Sequence, residues 1–135
     1  MLSVAAVLVV GMIPTPVLAQ DDGVEVVEEI RGALQEGDPE RLVRASSARM
    51  DVTILGTSEL LSRSQAKYVV KSFFAEYPPV EVEIVDTSQS NGNWFASAAY
   101  WYETGAEPLS IYVRLRNRSG EWELRELRID RTPPR

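Results

Sequence analysis

The stretch SRSQAKYVVKSFFAEYPP, Ser62 to Pro79, holds a helix start, a packing face and a stop, and the rest of the chain is arranged around it. Ser62 followed by Gln65 three residues on fits a capping box, in which hydroxyl and side-chain amide each answer a backbone group left free by the first turn. From Ala66 onward, Val69, Val70, Phe73, Phe74 and Tyr77 form one apolar stripe at helical spacing, while Arg63, Lys67 and Lys71 line a flank at i, i+4 and i+8. Such a stripe must face a core, so Phe73 and Phe74 are read as packing residues rather than ligand contacts. Pro78 and Pro79 end the helix, because proline lacks the amide a further turn needs and pushes its predecessor towards extended geometry.

Upstream, Asp22 with Glu25 as capping partner predicts a first helix whose buried stripe is Val26, Val27, Ile30, Ala33 and Leu34, stopped by Gly37. Asp38-Pro39 restarts the chain as a short helix to about Ala45, with Asp38 as N-cap, Pro39 in the first turn, and Leu42 and Val43 inward. Met50, Val52 and Ile54 alternate with Asp51 and Thr53 as a strand, and Gly56 with Thr57-Ser58 turns it into a second. After Pro79 the chain reads as all β. Val80, Val82 and Ile84 alternate with Glu81 and Glu83, and Asn91-Gly92 makes a hairpin turn into a strand from Trp94 to Glu103. Leu109, Ile111, Val113 and Leu115 face one side of the next strand. In the last strand Trp122 and Leu124 share one parity but Leu127 and Ile129 the other, which predicts a β-bulge near Arg125-Glu126 and a bent sheet.

At 135 residues, 44% hydrophobic and 25% charged, the chain has the composition of one globular domain with its own core. A net charge of −6 argues against nucleic acid and anionic membranes as partners. Cys and His are both absent, which removes disulfides, thiol nucleophiles, imidazole bases and the common zinc and copper sites. The acidic string Asp21, Asp22, Glu25, Glu28 and Glu29 answers the helix macrodipole rather than gathering a metal. No cofactor is expected. Residues 1–19 carry no charged side chain; Pro14 and Pro16 interrupt them and Val17-Leu18-Ala19 closes them, which reads as a signal peptide cleaved after Ala19. The expected organisation is therefore a leader at 1–19, one domain at 20–130 and a frayed tail at 131–135. The mature chain is expected in the periplasm or secreted, free of the membrane, with no cysteine for lipid attachment.

Two helices, a short hairpin, a long helix and then long, bent strands is the element order of the cone-shaped nuclear-transport-factor-2-like (NTF2-like) superfamily, which the chain resembles from Gly23 to Asp130. More narrowly, it resembles the secreted bacterial family called domain of unknown function 4783. The segments that carry this are EGDPERL (36–42), SRSQAKYVVKSFFAEYPP, LSIYVRLRNRSGEW (109–122) and LRELRID (124–130). The resemblance implies an α+β fold in which N-terminal helices and the long helix pack in a strongly curved antiparallel sheet. It also implies a conical cavity able to take a small apolar or mixed ligand. It brings no catalytic residue with it, and the His that enzymes of the wider superfamily often place in the cone is missing here.

The aromatic residues Trp94, Phe95, Tyr100, Trp101 and Tyr102, with Tyr112 and Trp122 across the sheet, mark the densest candidate surface. Strand alternation sends Trp101 opposite to Tyr100 and Tyr102, so both faces are partly aromatic and one needs covering. Tyr100, Trp101, Tyr102, Tyr112, Arg114 and Trp122 are therefore the expected binding residues, with homodimerisation through the sheet as the expected use. The remaining hairpin arginines and glutamates read as a solvated ladder, each pair contributing about 0.2–1 kcal/mol. The favoured function is a non-catalytic extracytoplasmic module for a small ligand or a protein partner. The alternative is a cone-pocket isomerase or dehydratase, with Asp51 or Glu126 placed near the cavity as general base and Tyr112, Tyr100 or Tyr102 as hydrogen-bond donor.

Overall fold

The computed structural model describes residues 21–131 and, apart from them, Ala5, Val10 and Gly11. The leader expected at 1–19, the side chain of the cap expected at Asp22, and the tail beyond Arg131 lie outside the described residues. The elements run α1 (Asp21–Glu36), α2 (Pro39–Arg44), β1 (Ser46–Ile54), β2 (Thr57–Ser62), α3 (Arg63–Glu76), β3 (Glu81–Ser90), β4 (Asn93–Trp101), β5 (Leu109–Arg118) and β6 (Glu121–Arg131).

Each local signal around α3 is realised. Ser62 accepts from the Gln65 amide while the Gln65 side chain accepts from the Ser62 amide, completing the capping box. Ala66, Val70, Phe73 and Phe74 are buried, with Val69 and Tyr77 half-buried beside them. Arg63 reaches back to donate to the Ser46 carbonyl at 2.7 Å, tying the helix start to β1. At the α1–α2 corner Gly37 takes a φ of +63°, which glycine adopts without a Cβ penalty, and Asp38 caps α2 by accepting from the Arg41 amide. Arg41 then clamps the pair, donating to Glu29 at 2.5 Å and to Glu36 at 2.8 Å.

One six-stranded sheet runs in the order β2-β1-β6-β5-β4-β3. It is antiparallel except where β1 meets β6, which run parallel. The sequence reading expected antiparallel pairing throughout; no hairpin joins β1 to β6, so nothing local fixes their relative direction. The bulge forecast from parity is present: Arg114 pairs with Glu126 but Leu115 with Leu124, leaving Arg125 as the extra residue. A second register shift lies between Ile84 and Asp86 and throws Val85 outward, 68% exposed. The β3–β4 turn has positive φ at both Asn91 and Gly92, as hairpin twist requires. Val80, expected inward, is exposed one residue outside β3, beyond the reach of the core. β4 ends at Trp101, two residues earlier than read, and β6 runs to Arg131, one residue later.

The concave side of the sheet wraps α1 and α3. Ile30, Leu34, Phe73 and Phe74 from the helices meet Tyr100, Ile111, Leu115, Leu124, Leu127 and Ile129 from the strands in one buried cluster. Gln35 closes the start of edge strand β3, donating to the Val80 carbonyl and accepting from the Val82 amide at 2.8 Å.

Candidate functional site

Residues expected to act together are divided between the two faces. Tyr100 is fully buried on the concave side; its ring lies 5.3 Å from that of Phe73 and its hydroxyl donates to the Tyr77 carbonyl. Burial pushes its hydroxyl well above the ordinary tyrosine range, and its proton is already committed to the fold. Tyr102 turns the same way just past β4, edge-on to Tyr77 at 5.0 Å, and Trp122 is buried in the core. These three serve packing, so their expected place in one binding surface with Trp101, Tyr112 and Arg114 is corrected: alternation along β4 and β6 separates them. The indole N–H groups of Trp94 and Trp122 are buried without a partner among the described residues.

Asp51 and Glu126 are not in the cone. Met50 and Val52 point inward, so Asp51 must point outward, and its register partner Glu126 shares that outer face. Glu126 accepts from Arg114 at 3.5 Å. The expected pair of carboxylates near a cavity is thereby corrected to two members of an outer charge row. Among the described residues no group of three or more acidic side chains is gathered as a metal site.

The cone itself is filled by the core cluster, and the surface depressions near the strands lie elsewhere. One of about 190 Å³ lies against Val85, Ala99, Pro108 and Ser110, and another of about 340 Å³ lies at the β5–β6 tip among Arg116, Arg118, Glu123 and Arg125.

The outer face can be laid out row by row from the strand registers. Glu81 lies beside Trp101; Glu83, Ala99, Ser110 and Asp130 form the next row; Asp86, Ser97, Tyr112 and Arg128 the next. Beyond them come Ser88, Phe95, Arg114 and Glu126, then Ser90, Asn93, Arg116 and Glu123. Phe95 and Tyr112 stack at 6.2 Å in the middle of the face. Burial, and then the neighbouring Glu126 carboxylate, raise the Tyr112 hydroxyl pKa above its ordinary value. The centre of the face therefore combines two aromatic rings with the small residues Ser97, Ala99 and Ser110. Sequence reasoning passed over those small residues. Their signal was the period-two run of β4, NWFASAAYW, which puts small side chains on both faces.

The family model described as Domain of unknown function (DUF4783) matches residues 27–130. Among solved structures, a DUF4783 family protein from Bacteroides uniformis is 18% identical with a TM-score of 0.71, covering 79% of this chain and 97% of its own. A protein of Nostoc punctiforme with a cystatin-like fold is 12% identical with a TM-score of 0.66, over 87% of this chain and 81% of its own. An NTF2-like family protein of Streptomyces avermitilis is 9% identical with a TM-score of 0.60, over 86% and 98%. None of the curated proteins matches the chain.

Proposed function

Because the chain belongs to the DUF4783 family, whose fold is NTF2-like and whose function is unknown, we propose from its geometry that it is a non-catalytic extracytoplasmic interaction module which self-associates through the outer face of its sheet. The observation that carries this reading is the contrast between the faces. The concave side is packed by its own residues, down to the bound hydroxyl of Tyr100, while the convex side leaves Phe95, Trp101 and Tyr112 half-buried around small residues, with no element among the described residues over them. Aromatic rings on a smooth sheet face are what protein interfaces are built from. The uncharged leader-like stretch at 1–19 supports placement outside the cytoplasm. An enzymatic reading based on Asp51 or Glu126 would have to work on this open face, without a water-excluding pocket.

The test is native mass spectrometry of protein isolated from its own cell envelope, followed by sedimentation of Ser97→Arg. A processed dimer that becomes monomeric in the variant, with an unchanged melting temperature, is the expected result. A chain that stays monomeric at high concentration, or carries a discrete small-molecule mass, would overturn the self-association reading or replace it with a ligand-binding one.

A further inference from the structure

The charges on the outer face are not distributed at random. At the end of the face near the 102–108 loop, on the β3 side, Glu81, Glu83 and Asp86 stand together and exposed. At the opposite end, on the β5–β6 side, Arg116, Arg118 and Arg125 converge on the 340 Å³ depression. None of these six forms an ion pair among the described residues, although Arg114, Arg128 and Arg41 do. Glu121 and Glu123 lie across the strand from Arg118 and Arg116 and leave the tip with a net positive charge; the acidic corner has no such offset. The apolar centre with Phe95, Tyr112, Ser97 and Ala99 lies between the two corners.

We infer that the partner of this face is a second copy of the chain, docked with its strands crossed so that the Arg116/Arg118/Arg125 corner of each copy meets the Glu81/Glu83/Asp86 corner of the other. This rests on the self-association proposed above and adds the orientation. Two copies packed face to face are related by a two-fold axis lying between the sheets, and the residue rows distinguish its possible directions. An axis along the strands would place Glu83 over Asp130 and Arg116 over Asn93, a like-charge contact and a neutral one. An axis across the strands would place Glu83 over Ser88 or Ser90, and Arg116 over Ser110. Only a diagonal axis exchanges both end and side, bringing each arginine corner onto an acidic corner, twice per dimer by symmetry. Opposite charges brought together also explain why the two corners have no ion pair among the described residues.

The experiment is a charge-exchange cycle read by analytical ultracentrifugation. One variant carries Glu81→Arg and Glu83→Arg, the other Arg116→Glu and Arg118→Glu; all four positions are exposed, and thermal melts confirm folding. Each variant alone should dimerise at least about tenfold more weakly than the unaltered protein, because like charges then meet at both corners. An equimolar mixture should recover a heterodimer, since each altered corner then meets an oppositely charged one. In the unaltered protein, raising salt from about 0.01 M to 1 M should weaken the dimer in the same direction. If both variants dimerise as tightly as the unaltered chain, the diagonal orientation is wrong while self-association stands. If the mixture stays monomeric although both variants are folded, the orientation is likewise overturned. If the unaltered protein is monomeric at every concentration and salt, both readings fall together.

Discussion

Gly23 and Gly32 are both helical glycines of α1, yet they should respond to alanine in opposite ways. A Cβ on Gly32 would approach the Arg41 guanidinium at 2.8 Å, the far end of a long side chain that can shift. Gly32→Ala should therefore be neutral or gain up to about 1 kcal/mol from helix propensity. A Cβ on Gly23 would lie 2.1 Å from the Trp94 indole Nε1, a rigid, half-buried ring packed against the core, so Gly23→Ala should cost about 1–3 kcal/mol despite the same propensity gain. Chemical denaturation of the two variants decides this, and equal effects would mean that Trp94 does not lie against α1. Tyr100 gives a pH signature. The fold holds its phenol proton more tightly than the unfolded chain, where tyrosine titrates near 10.0. Its contribution is complete below that pH and lost as pH rises above it. Melts between pH 9 and 11.5 should show a decline that Tyr100→Phe flattens, at a cost near neutrality of about 1 kcal/mol for the orphaned Tyr77 carbonyl. Neither effect was legible in the sequence, because a glycine's neighbour or a tyrosine's depth depends on residues far away in the chain.

At the scale of elements, much was legible, and the reason is that local signals agreed with one another. The Ser62–Gln65 box, the stripe ending at Tyr77 and the Pro78-Pro79 stop all point to one helix, and α3 has those limits to within a residue. The bulge at Arg125 was readable because a change of parity is a purely local count. The burial of Phe73 makes a sharp expectation: Phe73→Ala should cost about 3–5 kcal/mol, since its ring contacts Phe74, Tyr77 and Tyr100 and leaves a hole that the curved sheet cannot close. A loss of that size is comparable to the total stability of many domains of this length, so the variant should be largely unfolded on warming. Near-normal stability in circular dichroism melts would mean that the helix presents another face to the sheet. What local signals could not supply was the parallel pairing of β1 with β6 or the outward turn of Val85. Both are settled by non-local neighbours rather than by the strands' own residues.

At the scale of the whole molecule, whether a cone is hollow cannot be read from local residue order. Asp51 and Glu126 read as pocket groups because apolar strand residues flank them in the chain, but in a strand those neighbours point the other way. Which face becomes interior depends on where α1 and α3 lie, and whether the interior stays open depends on summed side-chain volumes across six strands. Here Leu34, Phe73, Tyr100, Leu115, Leu124 and Leu127 occupy that volume. A filled cone should not take up the apolar dye anilinonaphthalene sulfonate in the native state, whereas a hollow one lined by such residues would bind it and fluoresce. Among the described residues the indole N–H groups of Trp94 and Trp122 are buried without partners, and a cone ligand beside them would have to answer them with acceptors. Native protein should therefore leave dye fluorescence at its buffer level until the unfolding transition begins, and its tryptophan emission should stay unchanged on dye addition. Quenching of that emission by dye well below the transition, if it persists in Trp101→Phe and so does not arise on the outer face, would place a ligand site beside Trp94 and Trp122, and the interaction-module reading would give way to a small-molecule carrier.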